Sequence, residues 1–162
     1  MNSDVDEARR RSLSLLDTTR RETRSILSRL DPEQVVHNDE RAWRVRDVVG
    51  HLGVWNGEAA RSLSAYAQGG EYFCVTANTK YYEYNGPAAD ERSTWTLEQV
   101  WDEYEASHHQ LKLMIETMQT EKWDGDMLFP WNDRGTVEQF IKRMMKHEKI
   151  DHCSLILKAT QE

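Results

Sequence analysis

Four stretches of the chain repeat apolar residues at intervals of three and four, and each predicts a helix with one buried face. In residues 4–30 that face is Leu13, Leu16, Thr23, Leu27 and Leu30. Ser3 can cap this helix with Asp6 reaching back, and Asp31-Pro32 ends it, because the residue before a proline avoids the α region. Residues 46–68 carry Val48, Leu52, Trp55, Ala59, Leu63 and Tyr66 on one side and stop at Gly69-Gly70. Residues 97–118 begin at a Thr96 cap, with Gln99 as its capping-box partner and Trp95 stapled to Val100. Residues 137–159 begin in the same way at Thr136 and Gln139. Four such helices in 162 residues predict an all-α fold, one four-helix bundle domain spanning 1–162. Residues 31–44 read as a connector and 71–95 as the longest irregular segment, with no strand pattern, repeat or phosphate-binding glycine loop.

The fourth stripe has unexpected residues at its centre. At about 100° per residue, Val137, Ile141, Met144, Met145, Leu155, Ile156 and Ala159 fall within an arc of roughly 120°. Glu148 and His152 lie in the middle of that arc. A buried charge is costly unless it is paired or bound to a metal. The run His147-Glu148-Lys149-Ile150-Asp151-His152 imitates the zincin signature, but that signature needs histidines four apart. Here they are five apart, which on a straight α-helix turns them ~140° from each other. The expectation is therefore that Glu148 and His152 point together, with His147 and Asp151 as flanking groups at the edge of the stripe. Two ligands do not complete a zinc or iron site, so a third must come from elsewhere. His51 flanks the second stripe, where a hydrogen-bonded boundary histidine and a metal ligand are both open readings. His108 and His109, ~100° apart as neighbours on a helix, are expected at edge or solvent positions.

Composition narrows the classes of function. A net charge of -7 argues against general nucleic-acid binding. The arginines of the first helix, Arg9, Arg10, Arg11, Arg20, Arg21 and Arg24, interleave with acids and read as a solvated face or, more sharply, a polyanion site. No apolar run approaches the ~18 residues of a membrane span, and the acidic start Met1-Asn2-Ser3-Asp4 lacks the apolar core of a signal peptide. A cytoplasmic protein without a membrane partner is expected. Cys74 and Cys153 read as free thiols rather than a disulfide framework, and Cys153 points off the stripe. Six Trp and six Tyr beside 30% charged residues indicate a polar surface with an aromatic interior or cleft. The aromatic run around Tyr81, Tyr82 and Tyr84 is too apolar for disorder and forms either a pocket wall or a cover over the core.

The segment Trp43-Arg44-Val45-Arg46-Asp47-Val48-Val49-Gly50-His51-Leu52-Gly53-Val54-Trp55 resembles the W-s-v-r-D-v-v-x-H-l-x-x-W segment of the DinB-like superfamily. Tyr84-Asn85, Trp95-Thr96-Leu97-Glu98, and Gly135-Thr136-Val137 leading to Glu148 and His152 follow in the family's order, over nearly the whole chain. Arg44 stands where a small helix-capping residue is common in the family. That superfamily includes mycothiol-dependent maleylpyruvate isomerases and related thiol S-transferases, and the ClbS/DfsB proteins share part of the segment. The resemblance implies a four-helix bundle holding a divalent metal through a histidine on the second helix and a pair four apart on the last, Glu and His in the isomerase branch. Carried over, the ligands are His51, Glu148 and His152. Zinc, nickel or iron suits such a set. The implied reaction is thiol transfer or thiol-dependent isomerisation of a small electrophilic molecule, using a low-molecular-weight thiol. Metal-dependent hydrolysis and a non-catalytic stress-response or binding role are the alternatives. Trp55, Tyr81, Tyr82, Asn85 and Trp131 are the candidate pocket residues, joined by His147 and Asp151. A homodimer is among the assemblies allowed.

Overall fold

A computed structural model describes residues 2–38 and 41–160. The long helices are α1 (Asn2–Leu27), α2 (Val45–Ala67), α4 (Leu97–Thr117) and a last helical run from 137 to 160. That last run has three parts: α5 (Val137–Lys146), a π-helical stretch (His147–Ser154) and α6 (Leu155–Thr160). The all-α fold predicted from the stripes is the observed one. α2 packs along α4, while α1 lies against α5, the π-helical stretch and α4.

The capping residues act as their sequence indicates. Thr96 Oγ1 accepts from the Gln99 N–H, and Gln99 Oε1 accepts from the Thr96 N–H, at 3.1 and 2.8 Å. Thr136 and Gln139 repeat the arrangement at 3.3 and 3.0 Å. At the start of α2 the Asp47 carboxylate accepts from both the backbone N–H and the guanidinium of Arg44, so a charged residue serves where a small cap was expected. α2 ends as Gly69 adopts φ 82°, a left-handed conformation that glycine enters without a Cβ penalty. The first helix departs from its expected limits. It already includes Ser3, whose hydroxyl bonds to Asp4, and it stops at Leu27, short of Asp31-Pro32.

Three further elements were not foreseen. The connector 31–44 holds a hairpin of β1 (Val35–Asn38) and β2 (Ala42–Arg44), with a bulge between Val35 and His37. The loop after α4 holds a second, minimal one, β3 (Met127–Leu128) with β4 (Arg134–Gly135). Strands this short leave no alternation to read. Within the supposedly irregular 71–95 lies α3 (Tyr81–Glu91), with Pro87 inside it. Ala89 is its only fully buried residue, so the helix has no apolar stripe, and its proline argued against it.

The core has two parts. One gathers Leu16, Leu63, Ile115, Trp123, Phe129 and Phe140, and the other Leu27, Val49, Leu52, Tyr104, Cys153 and Ile156. Gly53 brings α2 and α4 close: a Cβ there would meet the backbone of Tyr104 at 3.3 Å.

Candidate metal centre

Three histidines meet where α2 faces the π-helical stretch. His147 Nε2 lies 3.1 Å from His152 Nε2 and 3.4 Å from His51 Nε2. One nitrogen from each lies within 4.8 Å of the other two. Among the described residues this is the one convergent group of three histidine, cysteine or carboxylate side chains.

His51 is turned inward by its place on α2, one turn before Trp55, and its ring sits edge-on between Trp43 and Trp55 at 5.8 and 6.4 Å. His147 and His152 share a face for a different reason. A straight α-helix would separate residues five apart, but a π-helix closes its hydrogen bonds from i to i+5 and stacks them. The divergence of ~140° expected of this pair therefore does not hold, because the helix is locally unwound. Their rings stand 4.6 Å apart. The structure thus brings His51 and His152 to one point and sets His147 beside them.

Glu148 lies elsewhere. It is 1% exposed, and its Oε1 accepts from the hydroxyls of Thr23 at 2.6 Å and Tyr104 at 2.5 Å, on the core side of the helix. Burial pushes its carboxyl above the usual range, against the hydrogen bonds it accepts. It is not part of the converging set, contrary to the pairing of Glu148 with His152 expected from α-helical spacing.

The electrostatics suit a cation. Burial lowers the pKa of all three histidines, reinforced at His51 and His152 by the neighbouring imidazoles. His152 falls to about 3. Three neutral rings therefore present lone pairs at pH 7, with mainly one another as partners. A single cation satisfies all three nitrogens at once, and three imidazoles leave a further position open on zinc-like ions. His152 Nδ1 is also buried and has no hydrogen-bond partner among the described residues.

The histidines lie in the wall of a pocket of about 1180 Å³. Trp55, Tyr81, Tyr82, Asn85, Trp131 and Asp151 line it, and Trp55 Nε1 donates to Asn85 Oδ1 at 3.0 Å, tying α3 to α2. His37, Arg41, Trp43 and Arg143 line it too, and the sequence reading did not single out any of them as pocket residues. His37 and Trp43 face each other across the unforeseen hairpin, so no helical stripe could have pointed to them. His108 is a second surprise, 2% exposed instead of at an edge or in solvent. Both cysteines are free. Neither lines the pocket, and burial pushes each thiol up to about 11.

An all-α bundle with three histidines converging at a pocket defines a class of candidate metal proteins, and sequence comparison narrows it. A model of the DinB superfamily matches residues 15–156, and the chain belongs to that superfamily. No curated protein matches it. Among solved structures it is similar to a mycothiol-dependent maleylpyruvate isomerase (15% identity, TM-score 0.70), covering 93% of this chain and 67% of that one. It is also similar to an uncharacterised protein from Escherichia coli UTI89 (16% identity, TM-score 0.73), covering 94% and 92% of the two chains. A third neighbour is the colibactin self-resistance protein ClbS in complex with double-stranded DNA (17% identity, TM-score 0.64), covering 99% and 96%. At these identities the likeness is one of fold.

Proposed function

We propose that this protein is a divalent-metal-dependent enzyme that joins a low-molecular-weight thiol to a small electrophile, as a thiol S-transferase or thiol-dependent isomerase. The convergence of three neutral imidazole nitrogens beside a pocket carries this reading. His51, His147 and His152 would hold the ion through Nε2, and zinc, nickel or iron suits such donors. When bound, the ion supplies Lewis acidity and lowers the pKa of a thiol or water placed beside it.

The remaining residues shape the pocket. Trp43, Trp55, Trp131, Tyr81 and Tyr82 give aromatic walls against which a small organic electrophile can pack. Arg41 and Arg143 also line the pocket, each paired with an acid, Asp90 and Asp133. The reacting thiol comes from outside the chain. Neither cysteine reaches the pocket, and both are held protonated at neutral pH. The likeness to a mycothiol-dependent isomerase supports the thiol reading.

A non-catalytic protective binding role is the second reading, favoured by the near-complete mutual coverage with ClbS. Nucleic acid is not part of either proposal. The net charge is -7, and five of the six arginines of α1 are engaged by acids: Arg9 by Asp6, Arg10 by Glu7, Arg11 by Glu138, and Arg20 and Arg24 by Glu105.

The test begins with metal analysis of protein purified without a histidine tag, which should carry a divalent ion bound in one-to-one ratio. The metal-loaded form is then assayed for consumption of low-molecular-weight thiols in the presence of small electrophiles. Metal binding without thiol turnover would favour the binding role, and absence of any bound metal would defeat the proposal.

A further inference from the structure

Glu148 is among the most buried polar residues described, yet it takes no part in the three-histidine centre. A carboxyl group at that depth needs a structural reason. Its partners come from across the bundle: Thr23 on α1 and Tyr104 on α4 both donate to Oε1. Asn56 on α2 approaches the same carboxyl more loosely, and neither its Nδ2 nor Glu148 Oε2 completes a full hydrogen bond. Each of the other three long helices thus directs one side chain to this residue of the fourth.

The spacing of these contacts matters more than their number. Thr23 Oγ1 meets Glu148 at 2.6 Å and Cys153 Sγ at 3.5 Å. Glu148 and Cys153 are five residues apart, like His147 and His152. On an α-helix, residues five apart diverge by ~140°, and one small hydroxyl could not touch both. In the π-helical stretch one i,i+5 pair faces the core and the adjacent one faces the pocket. Ser154 Oγ, bonded to Lys149 O at 2.9 Å, spans the same interval. Eight residues of π-helix are rare, and the geometry is less favourable than an α-helix, so something outside the helix must hold it.

We propose that Glu148 is a positioning residue: clamped by Thr23 and Tyr104, it holds residues 147–154 in π-helical register and so sets His147 and His152 on one face. Its consequence for metal binding rests on the function proposed above, whereas the register is a property of the metal-free chain.

Crystal structures of the metal-free protein and its variants read the register directly. Glu148→Gln keeps an oxygen that both hydroxyls can donate to, and should keep His147 and His152 together. Glu148→Leu removes that oxygen, and the stretch should revert to α-helical pairing with the two rings apart. Thr23→Val combined with Tyr104→Phe removes the clamp while leaving Glu148 in place. It should have the same effect, and it decides the matter if the leucine variant does not fold. Titration with cobalt(II) alone reads the consequence. Glu148→Gln should bind as the wild type does, and the variants without the clamp should lose roughly 10- to 100-fold in affinity, as for other groups that orient metal ligands. An intact π-helical stretch in a variant without the clamp overturns the proposal. So does loss of cobalt binding in Glu148→Gln with retention in the double variant, which would make Glu148 a ligand. If the wild type binds no cobalt, the metal reading fails, and the crystal structures still decide the register.

Discussion

Acidification from pH 7 to pH 5 should cost the protein about 2 kcal/mol of stability through His108 alone. This histidine on α4 is 2% exposed, and its Nε2 has no hydrogen-bond partner among the described residues. Burial lowers its pKa from 6.5 to about 4. Arg20 on α1 and Lys112 contribute to that lowering, Glu105 and Asp17 oppose it, and the ring of Tyr104 packs 5.8 Å away. The folded state therefore keeps His108 neutral where the unfolded chain takes up a proton. Stability falls wherever the unfolded state binds more protons, so the loss begins near pH 6.5 and is complete near pH 4. A shift of this size is worth about 3 kcal/mol over the whole window, of which about 2 kcal/mol falls between pH 7 and pH 5. Urea unfolding at both pH values, with chelator present, should show this difference between the wild type and His108→Leu, since the remaining titrations are common to both. Equal losses in the two proteins would refute the assignment of a neutral, buried His108.

His147→Ala and His152→Ala should each abolish binding of one divalent ion in a titration, whereas α-helical geometry predicts that the His147 variant binds normally. Thr136→Ala should lower stability by about 1 kcal/mol in urea unfolding, because it removes the cap of α5. Replacing Trp123, which is 2% exposed, with Ala should cost about 3–5 kcal/mol and show as a fall in the thermal midpoint. Denatured, unreduced protein should react with a thiol reagent at both Cys74 and Cys153, and a result of none would mean that the two are oxidised.

What the sequence reveals is the part governed by repeating patterns. The capping boxes at Thr96 and Thr136 set two helix starts, and the stripe that starts at Val137 marks a last helical run to 160, though its members Leu155 and Ala159 are exposed. The same periodicity exposes Glu148 and His152 as polar residues on an apolar face, and both are indeed drawn inward. It misleads on which way each points. The stripe was drawn at a constant 100° per residue, while the chain switches to π-helical winding after Lys146. That switch has no local code here. It depends on Thr23, more than a hundred residues away, meeting Glu148 and Cys153 together. His37 and Trp43 stayed hidden because they sit on strands of three and four residues, and α3 because a helix with little to bury leaves no stripe.

The pocket is assembled from two kinds of chain. Its three histidines stand on α2 and the last helical run, which also supply both parts of the core. Much of its rim comes from the β1–β2 hairpin and the first turn of α3, where Tyr81 and Tyr82 are 62% and 46% exposed. Substitution at the rim therefore disturbs little of what keeps the molecule folded, while substitution near the histidines disturbs the bundle itself. Such a division lets the shape and polarity of the opening drift in descendants of this chain at small thermodynamic cost, with the nitrogen cluster kept in place by the requirement to fold. Variation of the pocket opening around a constant histidine cluster is the evolutionary outcome this architecture favours.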